Sequence, residues 1–256
     1  MPEFKFVRFE KANGVARLTL ARPKHNVMNI DMMNELNSLI ETLAADDELK
    51  CLVILAEGRS WCAGVEVADH KPEMAQGMIA TFDRMLWLID HLDIPSIAAV
   101  SGACLGGGME LAIACDIVVA SSNARFGQPE IKLGFFPPYA VVRLPELIGV
   151  AKTIEVCTTG KTYTAREALE LGFVSKVVDE ENFIQAVERM VTEICDCSPL
   201  IIRMNKRAIK MTRGREFREA AKKVNDYFLN SLMKTEDTLE GIRSFEEKRK
   251  PVWKNG

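Results

Sequence analysis

Residues Ile97 to Leu111 read Ile-Ala-Ala-Val-Ser-Gly-Ala-Cys-Leu-Gly-Gly-Gly-Met-Glu-Leu, and Ala124 to Gly134 read Ala-Arg-Phe-Gly-Gln-Pro-Glu-Ile-Lys-Leu-Gly. Ile97 to Val100 is a short apolar run that predicts a strand. Glycines at 102 and at 106 to 108 break it, and Met109 to Ala114 has helical character. A strand is therefore expected to pass through a glycine turn into a helix. Glycines let a backbone approach a ligand closely, and a helix start leaves amide hydrogens without internal partners, so the turn can receive developing negative charge. Glu110 stands at the expected helix start, and Glu130 in a loop-like segment bounded by Gly127 and Gly134. Two carboxylates flanking such an amide site suit acid/base chemistry on a carbonyl compound. The same residue types also serve as a helix N-terminal charge and a solvated loop residue.

Upstream, Phe4–Glu10 and Val15–Ala21 are β-like runs separated by Ala12-Asn13-Gly14, a hairpin signal. Asp31 is the expected N-cap of a helix carrying Met32, Leu36, Leu39, Ile40 and Leu43. Cys51–Ala56 predicts a buried strand, and an amphipathic helix is expected from about Pro72 to Leu92. Downstream, Tyr139–Ile148, Ala151–Cys157 and a Thr164-capped Ala165–Leu171 predict helices, and Val174–Val178 predicts a final strand. Gly160-Lys161-Thr162 is not a phosphate loop, because Glu155 occupies the position of its required first glycine. Strands and helices alternate up to residue 178 and helices alone follow, which predicts an α/β core with a helical C-terminal segment.

The 256 residues are 48% hydrophobic, enough for one full core. A net charge of −3 supplies no overall field for nucleic acid. Seven cysteines without a C-x-x-C pair, and three histidines, argue against a metal site or a disulfide framework. Met1 to Phe6 lacks the basic and apolar regions of a leader, and no uncharged run reaches the length of a membrane span, so a cytoplasmic location is expected.

Ser101–Ala112 and Phe126–Gly134 together resemble the paired signatures of the crotonase (enoyl-CoA hydratase/isomerase) family, and the resemblance runs nearly end to end. It implies an α/β fold of stacked ββα units, with residues 1–198 as the catalytic core and 199–256 as a helical oligomerisation segment. It also implies homotrimers or dimers of trimers. The substrate would be an acyl-CoA thioester, with no separate cofactor, metal, nucleic acid or membrane partner. By motif position, Gly107 and Val65 would supply the oxyanion-hole amides and Glu110 and Glu130 the catalytic carboxyls. Lys24, Phe245 and Lys248 would contact coenzyme A, the last two on a neighbouring subunit. His70, Phe135, Phe136 and Tyr139 stand where they can shape the acyl pocket. Read alone, His70 is also a capping residue, the aromatics also core, and the charged run around Lys248 also a solvated helix end.

The Phe-Gly-Gln-Pro-Glu-Ile-Lys-Leu-Gly-Phe-Phe-Pro-Pro run, Asp69-His70 and the Lys248-Arg249…Trp253 ending are most similar to the hydratases of anaerobic aromatic degradation. Those convert cyclohexa-1,5-diene-1-carbonyl-CoA to 6-hydroxycyclohex-1-ene-1-carbonyl-CoA. The alternatives are a short-chain 2-enoyl-CoA hydratase or isomerase, and a non-catalytic CoA- or RNA-binding member.

Overall fold

Asn13 and Gly14, both at positive φ, turn β1 (Val7–Ala12) back on β2 (Val15–Leu20) in antiparallel register, Val7 opposite Leu20. The computed structural model describes residues 4–256; Met1 to Glu3, half of the stretch weighed above as a leader, lie outside the described residues. Helix α1 (Ile30–Ala44) follows. Its N-cap is Asn29, whose side chain accepts from the Met32 N–H at 3.1 Å. This corrects the expected cap at Asp31, which falls in the first turn, where a carboxylate complements the helix dipole.

Three strand–strand–helix units come next. They are β3 (Cys51–Ala56), β4 (Ser60–Cys62) and α2 (Pro72–His91); then β5 (Ser96–Val100), β6 (Ala103–Leu105) and α3 (Gly107–Ala114); then β7 (Ile117–Ser121), β8 (Arg125–Gly127) and α4 (Ala140–Ile148). The chain continues through α5 (Val150–Thr159), β9 (Thr162–Thr164), α6 (Ala165–Leu171), β10 (Lys176–Val178) and α7 (Phe183–Cys195). In each unit the longer strand enters a sheet of order β1-β2-β3-β5-β7-β10, and the three-residue strand joins a second sheet of order β4-β6-β8-β9. The expected strand Ile97–Val100 is β5, and the expected glycine turn after it holds a further strand, β6, beyond Gly102, where a Cβ would lie 2.0 Å from the Arg59 carbonyl oxygen.

β5 is buried throughout because both faces of the large sheet are covered. Leu52, Ile54, Ala98 and Val100 face the main core with α1 and α2, while Val53, Ile97 and Val119 face Phe183, Val187 and Val191 of α7. The final strand begins at Lys176 rather than Val174. Thr164 caps α6 as expected, exchanging side-chain and backbone bonds with Glu167.

Beyond these units lie α8 (Pro199–Lys210), α9 (Phe217–Asn230) and α10 (Glu236–Glu246). α8 is fastened to the core: Lys206 Nζ donates to Asp116 at 2.6 Å and to the Ile94 carbonyl at 2.8 Å, and Lys210 to Asp90 at 2.6 Å. α9 buries none of its residues and leaves Phe217 and Phe228 exposed. No helix among the described residues is long and apolar enough to cross a membrane.

Candidate active site

The start of α3 is wedged between other parts of the chain, which is why three glycines stand there. A Cβ at Gly108 would meet the Cys62 carbonyl oxygen at 2.2 Å, and one at Gly107 the Val65 side chain at 2.5 Å. Gly106 adopts φ 55° and ψ −131°, and its Cβ would lie 2.3 Å from Glu130 Oε1. The backbone there is closed down onto a carboxyl group, a conformation and an approach that exclude side chains.

Two amides face this junction. Gly64 O accepts from the Met28 N–H at 2.9 Å, and Glu66 N–H donates to Met28 O at 2.8 Å, the alternation of a parallel bridge. The intervening Val65 N–H therefore faces away from Met28. Gly107 opens α3, so its N–H has no partner inside the helix. Among the described residues neither amide donates to a partner. Both residues line a cavity of about 370 Å³.

Glu110 and Glu130 line the same cavity. Glu110 is 2% exposed, and its Oε1 accepts from the Tyr139 and Ala140 N–H groups, each at 2.8 Å. Burial pushes its carboxyl up to about 7; the two N–H donors oppose the shift and the charge of Glu130 adds to it. Glu130 is not in an open loop but in a single 3-10 turn, Pro129–Leu133, started by its proline and closed by Gly134 in the left-handed region. Burial raises its pKa as well. With its amide nitrogen turned to the carboxyl, fully buried Gln128 donates to Glu130 at 3.0 and 3.2 Å. Sequence reading missed Gln128, although it lies two residues before Glu130 within the quoted stretch. Met78 and Phe82 of α2 line the cavity as well.

The structure brings His70, Phe135 and Phe136 to this cavity, with the His70 and Phe135 ring centroids 5.1 Å apart. Tyr139 is a correction. Its backbone N–H holds Glu110, but its side chain is absent from the cavity wall and packs against the main core on the side of Asp90 and Arg143. Lys24 is exposed in a loop whose neighbour His25 accepts from the Ala63 N–H at 3.0 Å, beside the Val65 segment. Phe245, 85% exposed on α10, and Lys248 just beyond it do not line the cavity of their own chain. A larger open cleft of about 860 Å³ lies between α7 and α8, but in it Asp116 pairs with Lys206 and Lys210, and Glu146 with Arg143 and Arg213.

Two backbone N–H donors and two carboxyls of raised pKa, one near neutrality, converge on one mostly apolar cavity. Such a site can polarise a carbonyl oxygen and move protons at the adjacent carbons. The Enoyl-CoA hydratase/isomerase family model matches residues 10–256. A short-chain-enoyl-CoA hydratase of Clostridium acetobutylicum is 33% identical over 257 residues, covering 97% of each chain. A crotonyl-CoA hydratase of Syntrophomonas wolfei is 33% identical over 253 residues, covering 96% of this chain and 97% of its own. The crystal structure of an enoyl-CoA hydratase from Bacillus anthracis superimposes with a TM-score of 0.94 at 26% identity, covering 98% of this chain and 100% of that one. The chain belongs to the enoyl-CoA hydratase/isomerase family.

Proposed function

We propose, from that membership, that the protein is a hydro-lyase that adds water to a conjugated acyl-CoA thioester. The observation that carries this reading is the pair of carboxyls sharing one cavity with the unpartnered Val65 and Gly107 N–H groups. In the reaction the two amides hold the thioester oxygen and stabilise the enolate, a contribution of about 10²–10³ in rate per donor. One glutamate, ionised, takes a proton from water as its oxygen bonds to the β-carbon. The other, protonated, supplies the proton that completes the addition. Burial raises both carboxyls, that of Glu110 to about 7, which favours a protonated donor near neutral pH.

The finer reading is the cyclic dienoyl substrate, cyclohexa-1,5-diene-1-carbonyl-CoA. It is supported by the wall of Phe135, Phe136, Pro137 and Pro138, whose prolines fix φ and whose rings offer flat apolar surface. A short-chain 2-enoyl substrate is favoured equally by the names of the two relatives above. Turnover of purified protein on crotonyl-CoA and on the cyclic dienoyl-CoA decides between them. Absence of turnover on both overturns the hydratase reading in favour of a non-catalytic member. If the aromatic wall selects a ring, Phe136→Ala raises activity on linear enoyl thioesters relative to the cyclic one by about tenfold, the value of one or two methylene-sized contacts. Equal loss on both substrates assigns Phe136 to packing instead.

Coenzyme A, as part of the substrate, is the one nucleotide the reading needs, and Lys24 with a neighbouring subunit's Phe245 and Lys248 would hold it. The reading includes a trimer or a dimer of trimers, supported by the bare apolar face of α9. Phe217→Asp combined with Phe228→Asp, eleven residues apart and so on one helical face, should convert the assembly to monomers in sedimentation velocity. A double variant that sediments as a trimer counts against α9 as the contact. A cytoplasmic setting fits the seven free cysteines.

A further inference from the structure

Apart from the two glutamates, the described residues send one polar side chain to the cavity wall, that of His70. Its ring is held in place. Nδ1 lies 3.0 Å from the Glu66 carbonyl oxygen, which can only accept, so Nδ1 carries a proton and in the uncharged tautomer Nε2 is left as the ring's acceptor. The short turn bearing His70, Val67–His70, is itself anchored. Asp69 accepts from the Ile30 N–H at 3.1 Å, the Glu66 backbone is bonded to Met28 on the adjoining segment, and the Glu66 carboxylate pairs with Arg22 at 3.1 Å. A fixed lone pair on an otherwise apolar wall is an arrangement that fixes orientation and selects ligands. His70 also lies against Phe135, on the aromatic part of the wall, whereas the carboxyl of Glu130 lies over Gly106 beside the Gly107 amide.

We infer that His70 is a specificity-determining residue: its Nε2 accepts a hydrogen bond from a hydroxyl on the acyl group, beyond the carbons that react, so the site favours hydroxylated acyl-CoA thioesters. This rests on the reading that the cavity receives the acyl end of a CoA thioester. Val65, Gly107, the two glutamates, Phe135 and His70 line one cavity, so an acyl group held by its thioester oxygen on the two amides can extend to His70. One neutral hydrogen bond in a partly open cavity corresponds to roughly a three- to tenfold gain in affinity.

The test is calorimetric titration of the full-length protein with saturated thioesters, which bind without turning over. Butanoyl- and pentanoyl-CoA are compared with 4-hydroxybutanoyl- and 5-hydroxypentanoyl-CoA. The hydroxylated ligand of at least one pair should bind three- to tenfold more tightly. In His70→Phe, which keeps a ring against Phe135 but offers no acceptor, the ratio should fall to about one. In His70→Gln, whose amide oxygen reaches the place of Nε2, part of the preference should return. Equal affinities in the unmodified protein, or a preference that survives in His70→Phe, overturn the inference. Hydration of crotonyl-CoA and of the cyclic dienoyl-CoA is measured beside it: absence of turnover on both overturns the hydratase reading while the affinity ratios still decide the role of His70. Failure of every thioester to bind overturns both.

Discussion

Replacing Glu110 or Glu130 with glutamine lowers turnover of the preferred enoyl-CoA thioester by about 10²–10⁴, with KM changed little. Glutamine has nearly the volume of glutamate and keeps one carbonyl-type oxygen. At position 110 that oxygen still accepts from the Tyr139 and Ala140 N–H groups, so the α3–α4 junction stays as it is. What disappears is a proton that can be gained or lost. At position 130 the substitution leaves the Pro129–Leu133 turn intact but sets an amide against the donating nitrogen of Gln128, so one contact there must rearrange. If the two carboxyls act on one substrate as proposed, the double variant should lose little more than the worse single variant, the non-additivity of groups that work as a unit. Near-normal turnover in either single variant removes that residue from the chemistry. A multiplicative loss in the double variant would mean that the two serve separate steps.

How much of this arrangement was legible in the chain depends on how long each signal is. β3 and β5 announce themselves as continuous apolar runs, α2 through apolar residues at helical spacing, and α6 through its cap and the following Gly172. The strands of the second sheet are three residues each, too short for alternation to be seen, so β6, lying inside the expected glycine turn, was hidden. The glutamates and glycines stood out because charge inside an apolar stretch is costly and adjacent glycines are rare within helices. Their environment was not visible. That Glu110 is almost wholly buried depends on the Pro137–Ala140 segment folding over it, a contact between residues about thirty positions apart. Tyr139 shows the same limit from the other side. Its backbone amide belongs to the site and its ring to the core, and no pattern of residue types distinguishes the two halves of one residue.

The burial of Glu110 has a thermodynamic consequence that is separable from turnover. Its carboxyl, about 7 in the folded protein against an ordinary value of 4.5, binds more protons in the native state than in the unfolded chain across that interval. Its contribution to stability is therefore fully present below pH 4.5, declines as the pH rises toward 7, and levels off above it, where a buried charge must be sustained. Glutamine never ionises and escapes this penalty. Glu110→Gln should accordingly gain stability relative to the unmodified protein as the pH rises from 5 to 8, by about 2–3 kcal/mol. For a chain of this size that corresponds to a widening of the difference in Tm by roughly 4–12 °C. The charge of Glu130 acts in the same direction, since in the variant it no longer repels a neighbouring carboxylate. Thermal unfolding of both proteins at pH 5 and pH 8 measures the effect. A Tm difference that does not change with pH would mean that Glu110 titrates near its ordinary value. The carboxyl would then be ionised throughout the neutral range, and the role of proton donor in the hydration would fall to Glu130.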